Sequence, residues 1–298
     1  MSTSLPFRTL LVMGASGQLG RRVVDLLMEA RAGRVIAASR NPDKLANYTL
    51  CGAEVRAVDL DDPASLDAVC KGVHRILLIN TEALDVSGRR LQQHRNAIDA
   101  AVRAGVQHLV YTSISNASAD STVPGAADHH ATEQMLAGTR LGWSVLRKNI
   151  YAEDLLPALA RAVATGRWEA AAGEGAAAYV TREDYAQSVA AALGSSFDGH
   201  RILDITGPMA VTHGMIARWV TETTGKPVTY VPAGVPALAG GSSAESGDPQ
   251  AELQAALDAA IARGEFAKAS RAVSELVGRP PMNVPAFLRA HRPRLMGE

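Results

Sequence analysis

Three glycines, Gly14, Gly17 and Gly20, sit between the apolar run Thr9–Met13 and the amphipathic stretch Gln18–Ala30, so they fill a strand-to-helix turn. Glycine there lets the backbone turn sharply and approach a diphosphate, whose charge is met by the unpaired N–H groups at the helix N-terminus. One glycine suffices for a turn; three in register point to a ligand. The loop reads Gly14-Ala15-Ser16-Gly17-Gln18-Leu19-Gly20. Ser16, Gln18 and Leu19 would face the same ligand, and Gly20 would let helix pack closely on strand.

From Thr9 to Arg147, short apolar runs alternate with longer amphipathic segments, the pattern of a parallel sheet covered on both faces. The strands are expected at Thr9–Met13, Arg34–Ser39, Glu54–Val58, Arg75–Asn80, His108–Thr112 and Trp143–Leu146. Helices are expected at Gln18–Ala30, Pro42–Tyr48, Pro63–Lys71, Ser87–Ala104 and Gly125–Ala137. The fold class is therefore α/β, a Rossmann-type doubly wound parallel sheet with a smaller C-terminal α/β lobe. Residues 1–150 form the dinucleotide-binding domain, with 179–206 returning to it through a helix near Thr181 and a strand Arg201–Ile205. Residues 151–178 and 207–298 form the lobe. Ala239–Asp248 is small and polar and reads as a connector or a lid, ahead of an Ala-rich helix Pro249–Arg263.

Composition narrows the partners. Lys plus Arg and Asp plus Glu both number 30, so no summed field draws the chain to nucleic acid or to an acidic membrane. The early apolar run is too short for a signal-peptide core and no stretch approaches spanning length, which makes the cytoplasm the default location. Cys51 and Cys70 lack metal or redox spacing and read as reduced and structural, and the scattered histidines offer no metal site. A homodimer is compatible with the sequence and not specified by it.

Which dinucleotide binds is addressed at the end of the second strand. An NAD-preferring site places Asp or Glu there on the ribose hydroxyls; this chain has Ala38-Ser39-Arg40. A carboxylate would repel a 2′-phosphate and Arg40 would attract it, so NADP(H) is favoured and NAD(H) is not excluded; a solvated surface arginine remains the plain alternative. Asp59-Leu60 ends the third strand, where a short acid can bond the adenine amino group, although Asp59 could equally cap the helix near Pro63. Asn80 and Thr81 follow the fourth strand beside the expected ribose.

Further signals run nearly the length of the chain: Arg40-Asn41-Pro42, Gly88–Arg90 with Gln93-His94-Arg95-Asn96, Ala104-Gly105-Val106 leading to Tyr111-Thr112-Ser113, Leu146-Arg147, Tyr151 with Glu153, Asp184-Tyr185-Ala186 and Gly278-Arg279-Pro280. With the glycine loop, these resemble the NmrA-like atypical short-chain dehydrogenases, and within them the bacterial NAD(P)H:quinone oxidoreductase branch. The resemblance implies an NADPH-dependent reductase without flavin or metal, which passes hydride to a quinone or related aromatic carbonyl lying between the dinucleotide domain and the lobe. It also implies that Arg147 belongs with the cofactor contacts.

Hydride transfer to a carbonyl puts negative charge on oxygen, so a positioned donor is needed. Short-chain dehydrogenases of the Ser–Tyr–Lys type carry Tyr and Lys four residues apart. The corresponding helix here reads Asp128-His129-His130-Ala131-Thr132-Glu133-Gln134 and has neither. Thr112 and Ser113 supply hydroxyls after the fifth strand. His129 and Glu133 share a helical face, so the carboxylate could orient an imidazole that donates to substrate; a solvated surface histidine is the plain reading. Tyr151 could stack on a flat substrate or merely pack between lobes. Two further readings stay open: a tailoring oxidoreductase, reductase or oxygenase, on a polycyclic aromatic or quinone metabolite, and a regulator that senses NAD(P) redox state without turnover.

Overall fold

The computed structural model describes residues 8–81, 88–233 and 249–298. The chain forms two compact units. The first takes in residues up to Ala119, Ala127–Arg147 and Ala186–Leu203; the second takes in Asp120–Ala126, Lys148–Tyr185 and residues from Asp204 onward.

Alternation of apolar runs with helices dominates the first unit. Strands β1 (Thr9–Met13), β2 (Arg34–Ser39), β3 (Glu54–Ala57), β4 (Arg75–Leu78), β5 (His108–Ile114) and β6 (Gly142–Lys148) are joined by helices α1 (Gln18–Glu29), α2 (Ala46–Leu50), α3 (Pro63–Val69), α4 (Arg89–Arg103) and α5 (Ala126–Ala137). A 3-10 turn, Pro42–Leu45, precedes α2, because Pro42 fixes the first turn and Asn41 supplies no side-chain cap. All five residues of β1 are buried, as a strand covered on both faces must be. Helix α1 turns Gly20, Val23, Val24 and Leu27 inward.

The sheet is ordered β3-β2-β1-β4-β5-β6-β9, where β9 is His200–Ile205, preceded by helix α7 (Arg182–Gly194). β1 pairs in parallel with β2 and with β4, and β4 in parallel with β5. The order reverses between β1 and β4, and a doubly wound sheet opens a crevice at the carboxyl ends of the strands at such a point. One face of the sheet carries a core of Leu11, Met13, Ile36, Ile76, Leu78, Leu109, Tyr111 and Val145.

At the amino end of the central strand β4, arginine replaces a cap. Arg75, only 2% exposed, donates to the carbonyls of Ala192, Leu193 and Phe197, so a cation satisfies the end of α7.

The second unit is built from helix α6 (Leu156–Thr165), strands β7 (Arg167–Ala170), β8 (Ala176–Ala177), β10 (Val211–Thr212) and β11 (Thr229–Pro232), helix α8 (His213–Thr224), and the helices α9 (Pro249–Ala262), α10 (Ala272–Val277), α11 (Val284–Ala290) and α12 (Arg292–Met296). β7 and β11 pair in parallel; β8 and β10 pair antiparallel. The segment 239–248 read as connector or lid lies outside the described residues. Among the described residues no helix is long and apolar enough to cross a membrane. Both cysteines are free; Cys70 is buried, whereas Cys51 is exposed, so the structural role expected for Cys51 is not what the fold assigns it.

Candidate functional site

The glycine loop lies directly at the switch point. Gly14 has φ +86°, a left-handed conformation, and its N–H and that of Ala15 both donate to the carbonyl of Ala38, tying the loop to β2. A Cβ on Gly20 would lie 2.2 Å from the Gly14 carbonyl oxygen, so packing alone demands glycine there. Gly17 differs: a Cβ there meets the Gly14 oxygen at 3.5 Å, an ordinary contact. Nothing inside the protein forbids a side chain at 17. Gly17 is also the N-cap of α1, which has no side-chain cap and no acid in its first turn, leaving the positive end of the helix for an anion.

A cleft of about 430 Å³ opens over this turn. Gly14, Ser16, Gly17, Arg40, Asp59, Leu60, Asn80 and Thr81 line it, as does Ile79. Gln18, Leu19, Gly20, Thr112, Ser113 and Arg147 do not. Ser16 and Ser39 share a hydrogen bond of 2.8 Å across the loop. Arg40 is exposed on the rim and, among the described residues, has no hydrogen bond or ion pair. Asp59 does not cap α3: Asp62 does, accepting from the Ala64 N–H at 2.9 Å, while Asp59 Oδ1 takes the N–H of Asp61.

Three lining residues escaped sequence reasoning: Val58, Arg89 and Gln93. Arg89 and Gln93 come from α4, remote in sequence from the loop, and converge on Asp61, which accepts from Arg89 Nη2 at 2.6 Å and from Gln93 Nε2 at 3.0 Å. The Arg89 guanidinium, helped by the Gln93 amide, holds the Asp61 carboxyl below the usual carboxylate range. Two buried polar atoms of the cleft residues, Thr81 Oγ1 and Gln93 Oε1, have no hydrogen-bond partner among the described residues. Buried polar groups are ordinarily paired, so these mark places for a ligand's polar groups. Together with the open glycine at 17 and the unpaired Arg40, they fit an anionic dinucleotide.

Thr112 lies behind the lip. Its hydroxyl accepts the Asn80 N–H at 2.8 Å and donates to Asn80 Oδ1 at 3.0 Å, fixing the residue that does line the cleft. Thr81 N–H donates to His94 Nε2, so the proton of this imidazole sits on Nδ1 and is given to Thr132 Oγ1, which in turn donates to the Asp128 carbonyl. Burial pushes His94 down to about 3 and keeps it neutral.

The polar groups expected for chemistry lie on β5, β6 and α5. Ser113 donates to Glu133 Oε1 at 2.6 Å, and Arg147 grips both oxygens of the same carboxylate. Glu133 is only 4% exposed. The carboxylate thus serves Arg147 and Ser113, where sequence spacing alone had aimed it at His129. His129, 7% exposed, meets the Tyr111 hydroxyl through Nδ1 at 2.8 Å. Burial holds Tyr111 above its ordinary value, so it keeps its proton.

Tyr151 belongs to the second unit. Lys148 Nζ lies 3.8 Å from its ring centroid, the Arg182 guanidinium carbon 4.4 Å, and Tyr185 meets it edge-on. Burial lowers Lys148 to about 8.

Comparison with known proteins bears on the same residues. A family model described as NAD(P)H-binding matches residues 14–196. Quinone oxidoreductase 2 of Escherichia coli (strain K12) is 34% identical over 272 residues, covering 90% of this chain and 93% of its own. An NmrA-like family domain-containing oxidoreductase of Aspergillus flavus is 27% identical over 280 residues, covering 91% of each chain. Among solved structures, the NADPH-dependent quinone oxidoreductase of Escherichia coli complexed with NADPH matches with a TM-score of 0.86 at 33% identity, covering 95% of this chain and 99% of that one.

Proposed function

The chain belongs to the NAD(P)H-binding, NmrA-like family and is an NAD(P)H-dependent oxidoreductase, and from that premise we propose that it uses NADPH in preference to NADH to reduce a quinone or related aromatic carbonyl without a flavin. The observation that carries this reading is Arg40, an exposed cation just after β2 on the rim of the switch-point cleft, with no hydrogen bond or ion pair among the described residues. No carboxylate occupies that strand end to favour a free ribose, and the guanidinium is suited to a 2′-phosphate.

The bound dinucleotide supplies a hydride, so a quinone becomes a hydroquinone by taking that hydride and one proton. The chain's own residues do the rest. Gly17 and the first turn of α1 receive the diphosphate. Thr112 holds Asn80, and His94 holds Thr81, on the side of the cleft nearest β4. His129, held by the Tyr111 hydroxyl, would donate to the oxygen that gains charge. Glu133 neutralises Arg147 and fixes Ser113.

The quinone part of the reading draws support from the Escherichia coli relative, whose name states that activity. The test is calorimetric titration with NADPH and NADH, followed by absorbance of the reduced nicotinamide after adding small and polycyclic quinones. Tighter NADPH binding with oxidation is the expected result. Binding without oxidation by any quinone would overturn the substrate assignment, and equal affinity for the two dinucleotides would overturn the role of Arg40.

A further inference from the structure

Gln93 lies on the first half of α4, is 5% exposed, and lines the cleft. Its amide orientation is settled by its neighbour. Asp61 accepts from Arg89 and stays ionised, so it can only accept, and the atom facing it must be the Gln93 NH₂ group. The carbonyl Oε1 therefore points elsewhere, and among the described residues it is buried without a partner. An acceptor held in that way is suited to a ligand's donor.

Its surroundings indicate which donor. Arg89, Gln93 and Asp61 cluster beside the residues that follow β3, where Val58 and Leu60 add apolar surface to the cleft. The glycine loop that receives the diphosphate follows β1, and Asn80 and Thr81 follow β4. The β1-β2-β3 half of a doubly wound sheet takes the adenosine end of a dinucleotide. Adenine presents one exocyclic donor, the 6-amino group, whereas hypoxanthine presents an acceptor oxygen at that position.

We propose that Gln93, oriented by Asp61, is a specificity-determining residue that reads the base of the dinucleotide by accepting a hydrogen bond from the adenine 6-amino group. The inference rests on the reading of this cleft as the dinucleotide site. Asp59 offers a second acceptor to the same amino group, since only its Oδ1 is occupied by the Asp61 N–H.

The probe is deamino-NADPH, which carries hypoxanthine in place of adenine. Wild-type protein should bind it about tenfold or more weakly than NADPH, because an acceptor then faces the buried Oε1. Gln93→Leu should shrink this ratio towards one by weakening NADPH about tenfold while leaving deamino-NADPH nearly unchanged. Gln93→Asn, which withdraws the amide by one methylene, should give an intermediate ratio, and thermal unfolding of each variant checks the fold. Equal binding of the two dinucleotides by wild type, or a wild-type ratio retained in both variants, overturns the assignment of Gln93. Failure of wild type to bind either dinucleotide removes the cleft reading itself.

Discussion

Two alanine substitutions three residues apart should fail in opposite ways. In Gly20→Ala the new methyl would lie 2.2 Å from the Gly14 oxygen and 2.7 Å from Ala15 Cα, both backbone atoms that cannot swing aside. Restoring contact distance requires the turn to open by about 1 Å. Overpacking of this kind costs about 1–3 kcal/mol. Alanine in a helix recovers up to about 1 kcal/mol over glycine, so the net loss should be about 1–2 kcal/mol. In Gly17→Ala the methyl meets only the Gly14 oxygen at 3.5 Å, and the backbone, at φ −75° and ψ 167°, suits any residue. Folding stability should change by less than about 0.5 kcal/mol, as the unfolded chain loses entropy while the N-cap slightly prefers glycine. The methyl does project where the diphosphate would sit. Displacing charge-assisted bonds there costs about 1.5–3 kcal/mol, or about 10- to 100-fold in NADPH affinity. Urea unfolding separates the stabilities and calorimetry the affinities. A Gly17→Ala protein that binds NADPH like wild type would refute the placement of the diphosphate, and a Gly20→Ala protein of wild-type stability would refute the packing argument.

Arg40→Ala should weaken NADPH by about 10- to 100-fold, the worth of a charge-assisted contact, and leave NADH within about threefold; an equal loss for both dinucleotides would show that the guanidinium serves the base instead. His129→Ala should lower turnover by about 10- to 100-fold, at the weak end of general acid catalysis, with NADPH affinity intact, and Tyr111→Phe should reproduce part of that loss; unchanged steady-state rates in both would remove His129 from the chemistry. Acid should destabilise the protein through its buried imidazoles. His94 and His108, both with no exposure, are pushed by burial to about 3, so below the ordinary histidine value only the unfolded state takes up their protons. Stability is then full above about pH 6.5 and falls as pH drops towards 3, by about 1.4 kcal/mol per residue per unit. Urea unfolding at about pH 5.5 should accordingly show a loss of about 3 kcal/mol relative to neutral pH, and a flat profile would contradict the neutral state of these two histidines.

Much of the first unit could be read from the chain because its signals are local. β1 and the glycine loop announce themselves within a dozen residues, and the fully buried strand follows from an unbroken apolar run. What stayed hidden depends on residues meeting across long separations. Gln93 and Arg89 belong to segments that carry the family resemblance, but they reach the cleft only because α4 passes beside the turn after β3, which their own neighbourhood does not show. Asp59 and Asp62 are three apart and equally fit to cap α3; the backbone path after β3 decides for Asp62. Residues 120–126 join the second unit, although the strand-helix alternation runs through them without a break. Spacing also shows only part of a carboxylate's surroundings: His129 and Glu133 share a face of α5, and Glu133 takes in addition a guanidinium from β6.

The pairing of Glu133 with Arg147 bears on how this chain would manage without a Tyr–Lys pair. A buried carboxylate must be matched by a cation and further hydrogen bonds or it is driven neutral. Glu133 meets this demand with Arg147 and Ser113, which ties up the hydroxyl and the charge that a carbonyl reductase would turn towards substrate. On the proposed reading the donor is His129, held by the Tyr111 hydroxyl, a weaker acid than a protonated lysine–tyrosine couple provides. A quinone needs little more, because the oxygen that gains charge becomes a phenolate stabilised by its own ring. An isolated ketone would leave an alkoxide, which such a site stabilises poorly. On that reading the arrangement of β5, β6 and α5 would favour acceptors that carry their own charge stabilisation.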